Sequence, residues 1–455
     1  MTSCLRATAI AALLALVSIP AARAQGPQIP VDVQANVRAR VDNEWSVGIV
    51  VGVVDSTGAR YFAYGTTARA GGQPVNERTV YEIGSITKVF TALSLADMVV
   101  KGEVGLDDPV QRYLPDSVHV PSRPGHAITL RLLSAQRSGL PRMPNNFAPA
   151  NPANPFADYD AARLYAFLDG YTLTRDPGAS YEYSNLGVGL LGLALVRRAG
   201  TSYEDLVLRR VIEPLHMADT RVTLTPDLRG RLAHGYAAGH EVGNWDLDAL
   251  AGAGALRSTA QDMVKLLAAA AGLTHTALDS AFRLTEAIEF DAGPGMRIGL
   301  AWHVIGPDSS AVLWHNGGTG GYRSFVGIDP RRKIGVVVLS NSALSIDDIG
   351  FHVLTAAAPL ATVRVAIALP PDSLDAYVGT YQLAPTFALS IRRDGDGLVA
   401  QATGQGAAAI YAWARDEFFL KVVDAQISFV RDATGKVASL VLHQGGRDQP
   451  APRSP

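Results

Sequence analysis

"YEIGSITKVF", residues 81–90, sets a serine three positions ahead of a lysine, where an apolar run begins. The glycine before Ser85 and the run that follows Lys88 predict a helix over 85–101. At 3.6 residues per turn, Ser85 and Lys88 fall on one face, one turn apart. The free N–H groups of a helix start favour negative charge developing beside them. A serine becomes a nucleophile only with a base at hand, and an amine out of water has a lowered pKa. A capping serine beside a solvent-facing lysine would spell the same letters, so this pair needs company.

Working outward, "WSVGIVVGVVDSTGARYFAYGTTAR" (45–69) has two β-rich stretches around Asp55–Gly58, a hairpin signal. Downstream of the helix, Gly102 ends it and Pro109 and Pro115 mark turns. Residues 128–141 predict a helix with a Thr129 cap, closed by Gly139. Residues 142–160, rich in Pro, Asn and Ala, predict a long surface loop over a site. Residues 185–200 are apolar enough for a buried helix stopped by Gly200, and 258–272 predict another with a Ser/Thr cap.

Four strand candidates then crowd together at 299–306, 311–317, 322–330 and 334–341, followed by a helix at 345–360. Their short connections favour antiparallel pairing. If the early hairpin shares their sheet, the layout is α+β. "ALPPDS" (368–373) breaks the chain, and short strands and turns follow. The expected domains are therefore a signal segment at 1–24, a main body at 25–365 and a small all-β domain at 366–455.

The 455 residues are 48% hydrophobic and 18% charged, with a formal net charge of −2. No basic run is present, which argues against a nucleic-acid partner. Residues 1–24 read as a secretory signal. One arginine precedes the short apolar core "ATAIAALLALVSIP", and Ala22-Arg23-Ala24 forms a small-x-small cleavage site before Gln25. The core is shorter than a membrane span needs. A mature chain from Gln25 loses Cys4, its only cysteine, and so has no disulfide or thiol chemistry. The expected location is periplasmic or secreted, with no transmembrane anchor in the mature chain.

Two more stretches join the first. "PGASYEYSNLGVG" (177–189) sets Tyr183 and Asn185 at the mouth of the buried helix. "WHNGGTGGYRSF" (314–325) ends a strand at His315, Asn316 and Gly317 and turns through glycines into another strand. A dinucleotide loop would lead into a helix instead. The glycines suit a substrate backbone lying along the strand edge. "HGYAAGH" (234–240) lacks helix-face spacing, and its histidines read as loop residues.

"SITK", "YSN" and "HNG", in that order, resemble the motifs of the serine penicillin-recognising enzymes: class C β-lactamases, DD-peptidases and related esterases and aminopeptidases. The flanking "GEVGLDDPVQRYLP", "ITLRLLSAQRSGLP" and "HNGGTGGYRSFVGIDP" are similar too, and the resemblance spans about residues 35–360. It implies a mixed sheet flanked by helices, an inserted all-helical lobe and a site between them. It further implies an acyl-enzyme on Ser85, with proton transfers shared by Lys88 and Tyr183. Asn185 would bind Lys88 and the substrate amide, and His315, Gly317, Gly318 and Thr319 would line the substrate strand. The oxyanion would sit between the N–H groups of Ser85 and Gly318. No metal or cofactor is implied, and the partner is a small-molecule or peptidoglycan-derived substrate.

The departure is His315, where β-lactamases usually carry a lysine that helps hold a substrate carboxylate. A histidine of ordinary pKa would gain such affinity as pH falls toward ~6.5. His-x-Gly is similar to what D-amino-acid peptidases of the family carry. The tail, with "LDAYVGTYQL" (374–383), resembles a lipocalin-like domain appended to some of these proteins. The activities left open are amide cleavage of a β-lactam or D-peptide, ester cleavage, and a sensor that acylates without turnover.

Overall fold

Thr57 gives its backbone N–H and its hydroxyl to the Asp55 carboxylate, at 2.8 and 2.7 Å, and folds the chain back on itself. The strands Gly48–Asp55 and Gly58–Gly65 that it joins pair antiparallel from Asp55↔Gly58 to Gly48↔Gly65. In this computed structural model, which describes residues 28–454 apart from 288, 289, 424 and 445, that hairpin is one edge of an eight-stranded sheet. The signal segment lies outside the described residues.

The sheet runs Gly58–Gly65, Gly48–Asp55, Ile334–Ser340, Arg323–Asp329, Val312–Gly318, His303–Ile305, Met296–Ile298, Phe290–Gly293, antiparallel throughout. Gly48–Asp55 sits inside it, which explains its run of valines: successive side chains enter different cores. Val50 and Val54 pack with Phe90, Leu93 and Leu267 on one face. Ile49, Val51 and Val53 pack with Val33, Val37 and Ile349 on the other.

Several elements differ from the sequence reading, among them the helix expected over 128–141, which is confined to Leu130–Ser134. Helix Val31–Asp42 covers the second face with only a few apolar side chains, too sparse a stripe to announce itself. Strands Phe290–Gly293 and Met296–Ile298 extend the sheet with largely exposed alternation. The strand expected over 299–306 is confined to His303–Ile305, and the late helix to Asp347–Leu354. His240, expected in a loop, opens the second strand of a small hairpin, Gly235–Ala237 with His240–Val242, and His234, just before the first strand, lies 2.9 Å from Glu241.

The helical lobe has its own core, built on Leu133, Tyr159, Leu164, Leu190 and Leu191. Helix Thr87–Val100 belongs to both bodies. Phe90 and Leu93 face the sheet core, while Leu95 and Met98 face the lobe core. It is buried all round, and its first turn opens at the seam between them.

Beyond residue 370, eight strands from Gly379–Ala384 to Arg447–Pro452 pair each with its neighbour in sequence. A Tyr381↔Arg453 bridge and the Ser454 N–H on the Thr380 carbonyl, at 2.7 Å, bring the last strand back to the first. The result is a near-closed barrel filled by Tyr377, Tyr381, Phe418 and Phe429. It rests on the main body through Trp45 stacked on Phe419 at 5.9 Å, and Lys421 lies 3.8 Å from Glu44.

Candidate active site

A short ribbon, Val80–Glu82 paired with Arg257–Thr259, delivers the chain to a single 3₁₀ turn, Gly84–Ile86, at the head of helix Thr87–Val100. Gly84 has φ +48°, and a Cβ there would lie 2.7 Å from the Gly318 nitrogen. The end of strand Val312–Gly318 thus presses on the turn that holds Ser85. Gly317 is tighter still, since a Cβ would stand 2.0 Å from the Ile83 carbonyl oxygen. Ser324 fastens the same carbonyl, donating its hydroxyl at 2.8 Å.

Lys88 is 0% exposed and has three oxygens around its amine. Ser85 Oγ and Asn185 Oδ1 are each at 2.9 Å and the Ala253 carbonyl is at 2.7 Å. Asn185 reaches it from the first turn of helix Asn185–Ala199, which Ser184 caps by accepting the Gly187 N–H at 2.8 Å. Burial, helped by the nearby charge of Arg142, holds the Lys88 pKa well below 10.5. A neutral amine has two N–H donors and one lone pair. Both carbonyl-type oxygens can only accept, so they take the two donors and leave the lone pair for the Ser85 O–H.

Tyr183 lies across this pair, with Lys88 Nζ and Arg142 Cζ each 4.9 Å from its ring centre. Burial pushes its phenol up to about 12, against a smaller opposite pull from Ser85. It therefore carries its proton at neutral pH.

His315 is 1% exposed, with its ring centre 6.4 Å from that of Tyr183 and 5.1 Å from that of His303. Its Nδ1 lies 2.6 Å from the Asn316 carbonyl, and its Nε2 is buried without a partner. Burial first, then His303 and Lys88, hold it well below 6.5, while the Asn316 carbonyl pulls weakly the other way. The expectation of a histidine charging near pH 6.5 is thereby corrected: this ring is neutral through the physiological range. His303, which binds the Tyr181 hydroxyl through Nε2 at 2.9 Å, is pushed down to about 4, chiefly by burial.

A narrow cleft opens at Ser85, between Asn185, Thr319 and an apolar wall of Phe156, Trp245 and Leu250. Sequence reasoning placed Ser85, Lys88, Tyr183, Asn185, His315, Gly317, Gly318 and Thr319 in one site, and all eight lie around this seam. It missed the wall. Phe156 comes from the 142–160 loop and meets Trp245 at 5.1 Å. Asn154 and Asp246 clasp the two segments through bonds of 2.8 and 2.9 Å. Glu82, 4% exposed, accepts the Trp245 N–H at 3.0 Å and pairs with Arg257 at 3.2 Å. Burial raises the Glu82 pKa, against the pull of Arg257. The only hint was a charged residue inside the apolar "VYEIG".

A sheet and helices, an inserted helical lobe and a serine on the helix shared between them define the class: the fold is that of the serine β-lactamases and DD-peptidases. The chain belongs to the β-lactamase family, whose sequence model matches residues 33–353. Residues 363–452 match a second family, a domain of unknown function (DUF3471). The chain is 25% identical over 349 residues to a β-lactamase of Escherichia coli K12, covering 68% of this chain and 88% of that one. It is 26% identical over 315 residues to the D-alanyl-D-alanine-carboxypeptidase/endopeptidase AmpH of the same strain, covering 66% and 81%. It superimposes on a β-lactamase/D-alanine carboxypeptidase of Yersinia pestis, solved with citrate, with TM-score 0.61 and 27% identity, covering 69% and 93%. Among the described residues no helix is long and apolar enough to cross a membrane, and no cluster of three or more His, Cys, Asp or Glu could hold a metal ion.

Proposed function

We propose that the protein is a secreted serine hydrolase that cleaves an amide, in a β-lactam or a D-amino-acid peptide, through an acyl-enzyme on Ser85. The observation that carries this reading is the set of three oxygens within 2.9 Å of the buried Lys88 amine, Ser85 Oγ among them. With the amine neutral, as its lowered pKa favours, the two carbonyl acceptors take its N–H donors and its lone pair is left for the Ser85 hydroxyl. That is the arrangement of a general base on a nucleophile.

In the first step Lys88 Nζ takes the Ser85 proton as Oγ bonds to the substrate carbonyl carbon. The carbonyl oxygen, now negative, lies at the backbone N–H groups of Ser85, at a helix start, and Gly318, at a strand end, both fixed donors. When the C–N bond breaks, the Tyr183 phenol gives its proton to the departing nitrogen and recovers one from the Lys88 ammonium. Water then hydrolyses the ester by the reverse relay, and Asn185 keeps the amine aimed throughout.

The names of both relatives, β-lactamase and D-alanyl-D-alanine-carboxypeptidase, support these two substrate classes. The apolar wall of Phe156, Trp245 and Leu250 favours a second reading, an esterase on the same scaffold. Intact-mass measurement during incubation with a penicillin tests the proposal. An adduct that forms on wild type, decays with time and is absent from Ser85→Ala is expected. Persistence of the adduct would mark a sensor without turnover. No adduct with penicillin or with a fluorophosphonate would overturn the Ser85 reading.

A further inference from the structure

In this family pattern a lysine at position 315 would meet a substrate carboxylate, and the geometry of His315 is wrong for that duty. The Asn316 carbonyl at 2.6 Å can only accept, so the His315 proton sits on Nδ1. Nε2 is then a bare lone pair, buried and unpartnered. A lone pair repels a carboxylate and suits an O–H donor such as Tyr183 instead.

Another cation stands at the same mouth. Arg142 is exposed, and among the described residues its guanidinium has no hydrogen bond or ion pair; it lies on the Tyr183 ring with Cζ 4.9 Å from the centre. Its backbone is fixed to the site, because its carbonyl accepts the N–H groups of Asn185 and Leu186 at 3.0 and 3.3 Å. Stacking on a ring uses the face of a guanidinium and leaves the N–H fork free in its plane. The nearby Arg323 has less to offer, since its Nη1 is bound to the Thr319 and Tyr322 carbonyls at 3.1 and 2.9 Å.

We propose that Arg142 is the specificity residue that receives the substrate's free carboxylate, in place of the cation that position 315 lacks. This rests on the acyl-enzyme reading above and names the substrate class within it: chains that end in a carboxylate next to the scissile bond. The two oxygens of that carboxylate match the planar fork bidentately. Tyr183 serves as the platform that holds the fork at the cavity rim.

The test uses the full chain and two peptides that differ in one group, an acyl-D-alanyl-D-alanine and its C-terminal amide. A neutral p-nitrophenyl ester reports Ser85 chemistry separately. Wild type should prefer the free acid. In Arg142→Gln the ratio of kcat/KM for acid over amide should fall by roughly 10- to 100-fold, as for loss of a hydrogen bond to a charged group, mostly through KM. Arg142→Lys should recover part of it. Any change in Lys88 basicity on losing this neighbouring charge touches both peptides alike and cancels in the ratio. A ratio unmoved in Arg142→Gln, or a wild type indifferent to the C-terminal charge, overturns the assignment even while ester turnover shows Ser85 at work. Loss of all ester turnover and of all fluorophosphonate labelling in wild type would instead remove the acyl-enzyme reading, and the carboxylate assignment with it.

Discussion

Replacing Gly317 with alanine puts one methyl group into the joint on which the site depends. The new Cβ would lie 2.0 Å from the Ile83 carbonyl oxygen and 2.3 Å from Ser324 Oγ. The first of these is about 1.4 Å short of the 3.4 Å at which ordinary contact begins. Ser324 can rotate away, at the loss of its 2.8 Å bond to Ile83. The carbonyl cannot, because it belongs to the backbone two residues before Ser85. The strand end must retreat by roughly 1 Å, and Gly318 moves with it, away from the oxyanion. A misplacement of that size in a reacting constellation costs on the order of 100-fold in rate. That is about 2.7 kcal/mol of barrier. Overpacking should lower stability by roughly 1–3 kcal/mol as well. Steady-state kcat on a p-nitrophenyl ester, with a thermal melt of the same sample, gives both numbers. An alanine variant within threefold of wild-type kcat would refute the close approach as the device that positions the nucleophile.

Lys88→Met should cut acylation by roughly 10²–10⁴ and raise the melting temperature at pH 7. The folded-state pKa of Lys88 is depressed, so the unfolded chain binds a proton that the native chain refuses, and wild-type stability rises with pH between the depressed value and ~10.4. Melts at pH 7 and 10 should show that slope shrink in the variant, and an unchanged slope would mean the amine is charged when folded. Tyr183→Phe should slow acylation by a similar ~10²–10⁴; with the wild-type phenol at about 12, no loss of rate from its ionisation should be seen up to pH 10. Because His315 is held neutral, the acid-to-amide ratio of kcat/KM should stay flat from about pH 8 to 5.5, whereas a rise toward the ordinary ~6.5 would restore His315 as a carboxylate contact. A chain ending before Pro371 should still label at Ser85 but melt lower, having lost the Phe419 cover on Trp45; an unfolded product would make the barrel part of the main core.

What could be read from the sequence was whatever chemistry rides on side chains in order along the chain. Ser85 and Lys88 share a helix turn, Tyr183 and Asn185 precede a helix too apolar to be exposed, and His315 and Gly317 end a strand. The fold followed because those stretches resemble a known family in sequence. What stayed hidden was carried by backbone or by distant pairing. The Ala253 carbonyl, which leaves Lys88 its lone pair, has no signature in an alanine. Trp245 looks like a stray aromatic in "GNWDLD" until Glu82, 163 residues earlier in the chain, is seen to accept its backbone N–H. The His315 residue type was plain, but its protonated nitrogen depends on which carbonyl lies nearby. Phe290–Gly293, at the sheet edge, and the three-residue Met296–Ile298 beside it escaped because both are short and bury little.

The order of the two sheets also decides when each can form. In the barrel every ladder joins neighbours in sequence, so each hairpin can close as soon as it is made. The main sheet cannot behave that way. The valine-rich strand Gly48–Asp55 finds one partner across a tight turn, but the other is Ile334–Ser340, with Ile49 set against Ser340. Until nearly three-quarters of the chain has been synthesised, that strand keeps an open apolar edge, a template for pairing with another chain. The nucleophile turn waits as well, because the glycines that press on it lie at 317 and 318. A nascent chain therefore carries its serine for most of its synthesis without a site around it, and its activity arrives late, with the closing of the sheet.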